Sequence, residues 1–172
     1  MYDLHRLGWN SFQQLCLTIA REVLGQTVQS FLDSNDAGRD GAFAGSWASS
    51  PGQHFSGNFV IQCKFSSKAG ALLTKSGIAN EIPKVRKLVS DGLCDVYILM
   101  TNAGVSAKQE AQIKVALSDV GVRDVLICGS TWIEDQIRES TRLRMLVPRV
   151  YGLRDLSQIL DQRAYAQAVS IR

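Results

Sequence analysis

Residues 35–68 decide the fold: NDAGRDGAFAGSW (35–47), then ASSPGQHFSG (48–57), then NFVIQCKFSSK (58–68). Asp40 stands at the lip of one β-like run, and Gln62 and Lys64 stand two apart inside the next. Side chains on a strand alternate with a period of two, so Gln62 and Lys64 share one face while Ile61, Cys63 and Phe65 share the other. Pairing the two runs as a hairpin brings Asp40 beside them. The connection 48–57, rich in Ser, Pro and Gly, is expected to be a loop without regular structure.

Such a grouping has a chemical use. A carboxylate and an amide oxygen are hard ligands suited to Mg²⁺, which keeps several waters and takes few protein groups. A lysine beside such an ion can hold a phosphate or help direct a water at phosphorus. Turn chemistry also explains GRDG, since glycines supply positive φ and Asp bonds local backbone, and a strand Lys is commonly an edge residue. The combination says more, because a charged Lys64 in the apolar setting VIQCKF needs a partner or a ligand.

An acidic residue after a first helix and strand, followed by QxK in a hydrophobic strand, resembles the PD-(D/E)XK nuclease superfamily. Within it the pattern resembles the Mrr-like restriction endonucleases, which carry Gln in place of the second acid. The matching positions are Asp40 for the acid, Gln62 for the D/E position and Lys64 for the lysine. The likeness extends to the opening stretch LGWNSFQQLCLTIAREVLG (7–25) and to YILMTNAG (97–104), and so spans most of residues 7–140. Two departures stand out: no proline precedes Asp40, and the helix Glu found in many members falls on Gln13.

The resemblance implies an α/β protein with a restriction-endonuclease-like αβββαβ core, a mixed central sheet flanked by helices. It implies Mg²⁺, with Mn²⁺ as a substitute, held by Asp40, Gln62 and the backbone carbonyl of Cys63. Lys64 would position or activate the attacking water, and Gln13 would support the site. The implied activity is a metal-dependent endonuclease hydrolysing phosphodiester bonds of double-stranded DNA. Its implied setting is as the N-terminal effector of a bacterial antiphage defence protein that also carries a nucleotide-binding sensor domain. One site cuts one strand, so double-strand cleavage would require a homodimer or higher oligomer. A reading from another class stays open: a nucleic-acid-binding or assembly module that keeps the fold without catalysis, which Gln62 in place of an acid permits. A Holliday-junction resolvase of the same fold is a variant of the enzyme reading.

Composition fits this range of readings. The 172 residues, 45% of them hydrophobic, suffice for one domain with a sizeable core. A net charge of +3 permits nucleic-acid binding without requiring it. Cys16, Cys63, Cys94 and Cys128 lie far apart with no CxxC pair, which indicates neither zinc nor a disulfide framework. No apolar run approaches the ~18 residues of a membrane span, and the N-terminus lacks a leader pattern. A soluble, cytoplasmic protein that does not engage a membrane is expected.

Along the chain, apolar residues from Leu7 to Leu24 recur at three- and four-residue steps. They predict an amphipathic helix with Asn10 or Ser11 as N-cap and Gly25 as stop. Gln13 and Glu22 on it lie about half a turn apart at 100° per residue, so only one can face the site. Residues 27–32 (TVQSFL) read as a short strand; Asp33 and Asp36 after it are turn residues or extra charge for a metal. His54 is either a phosphate contact or simply exposed. Lys68, Lys75, Lys84, Arg86 and Lys87 are candidate phosphate contacts, with Glu81 as an ordinary helix partner for Lys84.

Residues 95–101 and 124–128 read as buried strands, and 107–120 and 131–140 as helices, giving a β-α-β-α series. Asn102 sits at a strand end, as a ligand contact or a helix cap. The expected division is a nuclease domain over 1–140 and an Arg-rich linker and helix over 141–172, with a break at Pro148 and a helix over 155–169. Arg142, Arg144, Arg149, Arg154 and Arg163 lie there. Because the pattern stops without a polar tail, this reading expects the chain to lead into a partner or a further domain.

Overall fold

The computed structural model describes residues 2–25, 29–30, 39–50 and 52–150. In chain order the elements are α1 (Trp9–Leu24), β1 (Gln29–Ser30), β2 (Gly41–Ser50), β3 (Gln53–Lys64), α2 (Ile82–Ser90), β4 (Val96–Thr101), α3 (Ala107–Ser118), β5 (Asp124–Cys128), α4 (Ser130–Glu139) and α5 (Thr141–Val150). The sheet has the order β1-β2-β3-β4-β5. Strands β1, β2 and β3 are antiparallel neighbours, whereas β3, β4 and β5 run parallel. This is an α/β protein: four full strands of a mixed sheet, a two-residue strand at one edge, and flanking helices.

Alternation along the central strands separates two cores. Phe59 and Ile61 of β3, with Val96, Ile98 and Met100 of β4, pack against Phe12, Leu15, Cys16 and Ile19 of α1 and Ile133 and Ile137 of α4. On the opposite face Val60, Tyr97 and Leu99 meet Val85 and Leu88 of α2 and Ile113 and Leu117 of α3. Every residue of β4 is buried, as a strand covered on both faces requires. Helix α1 forms because its apolar residues fall on one face, and it stops at Gly25, whose φ of 62° an L side chain would resist. Its start differs from expectation. The N-cap is Gly8, without a side-chain cap bond, and Asn10 and Ser11 lie inside the first turn.

Most of the expected loop over 48–57 is instead strand: β2 runs to Ser50 and β3 starts at Gln53. The β2–β3 ladder continues to the Ser50–Gln53 pair. Alternation outweighs local propensity here: Trp47 and Phe55 are cross-strand partners on the core-facing side, with ring centroids 5.7 Å apart. Strand β4 pairs only with Phe59–Lys64, so the rest of the hairpin extends beyond it. His54, eight residues before Gln62 along β3, is therefore roughly 26 Å from it at about 3.3 Å per residue. It cannot serve a site at Gln62 as phosphate contact or proton shuttle.

Where β3 parts from β4, polar groups fasten the ribbon. The Asn58 N–H donates to Asp95 Oδ2 at 2.7 Å, and the Asp95 N–H donates to the Asn58 carbonyl at 2.8 Å. Asn58 Nδ2 donates to the Gly92 carbonyl at 2.9 Å, and the Arg123 guanidinium donates to the Ser56 carbonyl. Gly57 sits against this lock with φ 114°, and a Cβ there would lie 2.9 Å from the Asp95 side-chain Cγ.

Beyond α4, Leu143 of α5 is buried in the same core as α1, and Arg142 Nη1 lies 3.3 Å from Glu22 Oε2. The helix continues through Pro148 to Val150, where the sequence suggested a break. Asp33, Asp36, Arg154, Arg163 and the helix expected over 155–169 lie outside the described residues, as does most of the run 27–32. Among the described residues no helix is long and apolar enough to cross a membrane.

Gly57→Ala is expected to destabilise the fold by about 2 kcal/mol, combining the strained φ with displacement of the Asp95 carboxylate. Urea unfolding checks this, and an unchanged midpoint would contradict it.

Candidate functional site

Strand register builds the site. Gly41 stands opposite Ile61, so Asp40, one residue before β2, arrives beside Gln62 at the mouth of the hairpin. Contacts with β3 help hold it there. Its N–H donates to the Ile61 carbonyl at 2.9 Å, and its Oδ2 accepts from the Cys63 N–H at 2.5 Å. Hydrogen bonds to a carboxylate are short and about twice as strong as neutral ones, so this contact fixes the acid's orientation.

Asp40, Gln62, Cys63 and Lys64 line one cavity of about 410 Å³ together with Trp9, Phe12 and Gln13 of α1, Phe65, and Glu81. The cavity opens at the end of the sheet, where β2 begins and β3 ends. Helix α1 supplies one wall and the start of α2 the other. Phe65 packs toward Phe12, with centroids 5.7 Å apart, which anchors the chain leaving β3. Trp9 is 53% exposed, a large aromatic surface at the rim.

Two side chains here lack the partners their environment demands. Gln62 Oε1 is buried and accepts no hydrogen bond among the described residues. Leaving such an oxygen unsatisfied costs about 1–3 kcal/mol. Lys64 is half-buried and makes neither an ion pair nor a side-chain hydrogen bond among the described residues. Gln62, Lys64 and the oriented Asp40 carboxylate thus belong to residues that line one space.

The structure sorts the other candidates. Gln13 lines the cavity, while Glu22 turns away to pair with Arg142. Asn102 clamps the loop after β3: its Oδ1 accepts from the Ser66 N–H at 2.8 Å and its Nδ2 donates to the Ser66 carbonyl at 2.7 Å. The cap of α3 is Ser106. Lys84 and Lys87 pair with Glu81 and Asp91 at 3.3 and 3.1 Å, whereas Lys68, Lys75 and Arg86 are exposed without ion pairs among the described residues. Cys63 contributes its N–H to Asp40, and its thiol meets Cys16 beneath the site.

Glu81 was expected only as a partner for Lys84, yet it lines the cavity. The available signal was topological. A helix that crosses between parallel strands starts over the carboxyl end of the strand before it, so the first residues of α2 return to the end of β3. Among the described residues no three His, Cys, Asp or Glu side chains gather as a metal cage. The donors present are hard oxygens, which fit Mg²⁺ or Mn²⁺ rather than zinc.

Four buried groups near the sheet titrate abnormally. Burial pushes the Cys128 thiol up to about 12; burial, then the charge of Asp95, pushes Cys94 up to about 12. Burial, then a hydrogen bond with Cys63, raises Cys16, and burial, then the charge of Glu81, raises Tyr97. All four favour the protonated form in the folded state.

Comparison of the sequence with protein-family models finds no match, and comparison with curated proteins finds none either. The class defined by fold and site is therefore an α/β protein with a polar, carboxylate-bearing cavity at the mouth of its antiparallel hairpin.

Because these folded-state values lie above the unfolded ones, stability is fully present below the unfolded thiol value near 9 and is lost as pH rises toward 12. Urea midpoints measured at pH 7, 9 and 10.5 should fall only in the upper part of that range. A midpoint that rises with pH above 9 would contradict the burial of these thiols.

Proposed function

We propose that this chain is a Mg²⁺-dependent endonuclease of the restriction-endonuclease-like class, similar to the Mrr-like enzymes, acting on double-stranded DNA. The observation that carries the reading is the common cavity of Asp40, Gln62 and Lys64, with the buried Gln62 Oε1 unpartnered. The element order α-β-β-β-α-β from α1 through β4 supports the same core type.

Asp40 and Gln62, with the Cys63 carbonyl, would hold the ion, and Gln13 would border it from α1. When bound, Mg²⁺ supplies Lewis-acid stabilisation of the phosphoryl oxygens and a more acidic water. The Cys63 N–H keeps Asp40 aimed at the cavity. Lys64 holds its ammonium beside the scissile phosphate, orienting the attacking water and countering negative charge as it develops. Trp9 offers an aromatic face at the rim for the sugar or base next to the cut. Lys68, Lys75 and Arg86 contribute phosphate contacts that weaken with salt.

Cleavage of both strands would bring two copies together, as a homodimer or higher assembly. Service as a cytoplasmic antiphage effector governed by a nucleotide-binding sensor domain is part of the same proposal and rests on the resemblance alone.

Lys64→Ala and Asp40→Asn should each lower Mg²⁺-dependent nicking of a supercoiled plasmid about 100-fold or more. Thermal melting should keep both variants folded. Nicking by Lys64→Ala at the wild-type rate would favour the binding-module reading instead.

A further inference from the structure

The cavity has a second carboxylate whose position neither helix capping nor surface pairing explains. Glu81 precedes α2 as its N-cap residue, yet its side chain makes no cap hydrogen bond. It is only 13% exposed, while its partner Lys84, 3.3 Å away, is 50% exposed. A solvent-facing ion pair of that kind contributes about 0–1 kcal/mol, little against the cost of holding a carboxylate largely out of water. The position of this half-buried acid in a polar cavity leaves room for a cation beyond Lys84.

Charge balance points the same way. Asp40 and Gln62 together offer one formal negative charge to a divalent ion, since Gln62 is a neutral amide. Glu81 lines the same cavity and brings the second. Gln62 lines the same cavity, and its buried Oε1 has no hydrogen-bond partner among the described residues.

We infer that Glu81 is a ligand of the divalent cation held by Asp40 and Gln62, so that the start of α2 closes the metal site from the wall opposite α1. This rests on reading the cavity as a metal-dependent site. Two carboxylates, one amide oxygen and several waters make the sparse, oxygen-only set that Mg²⁺ and Mn²⁺ accept. The inference also assigns Lys84 a role: its ammonium neutralises Glu81 until the ion arrives.

The test is calorimetric titration of Mn²⁺ into the chain without DNA, for wild type, Glu81→Gln, Glu81→Asp, Lys84→Ala and Asp40→Asn, with thermal melting as the check on folding. Glu81→Gln should weaken Mn²⁺ binding about tenfold or more. Glu81→Asp, which keeps the charge but shortens the reach, should fall between Glu81→Gln and wild type. Lys84→Ala should bind as tightly as wild type or more tightly. Wild-type affinity in both Glu81 variants overturns the inference, and if Asp40→Asn has lost binding at the same time, the metal-site reading itself survives. Absence of Mn²⁺ binding by the wild-type chain overturns both.

Discussion

The site depends on one contact, the short hydrogen bond from the Cys63 amide to the Asp40 carboxylate. It sits at the last rung of an antiparallel hairpin, where a backbone donor on β3 would otherwise lose its partner as β2 begins. A side-chain oxygen takes up that donor, so the cost of ending the ladder and the need to orient an acid are met by a single bond. Moving the register by one residue would turn Gln62 and Lys64 toward the α1 core, and the cavity would lose both.

Strand β3 carries opposite demands on its two faces. Phe59 and Ile61 are fully buried against α1 and α4, which fixes the strand in depth. On the other face Val60 is equally buried, but Gln62 and Lys64 come next in alternation, where the sheet ends and the covering helix α2 starts. Gln62 and Lys64 are thereby carried on a rigid strand to the lining of the cavity. The apolar packing does the positioning, and the polar atoms are left with unmet bonding capacity.

Much of this was legible in the chain. Periodicity revealed α1, β4, β5 and α4 because each has enough apolar residues in a regular spacing to dominate local preference. The 100° rule separated Gln13 from Glu22 on α1, and the structure places Gln13 in the cavity and Glu22 against Arg142. Local composition misled at 48–57, where Ser and Gly suggested a loop while Trp47 and Phe55 drive pairing across the hairpin. Glu81 was hidden for another reason. Its nearest sequence partner, Lys84, offered a complete local explanation, and only the return of the chain from β3 into α2 brings it to the cavity.

The central claim is the proposal that Asp40 and Gln62 hold a divalent cation in the working molecule. Anomalous diffraction from crystals grown with Mn²⁺ tests it most directly. The account predicts a single strong peak in this cavity, about 2.2 Å from Gln62 Oε1 and from an Asp40 carboxylate oxygen. A cavity without any anomalous peak, with Gln62 Oε1 accepting a hydrogen bond from a protein donor, would contradict it.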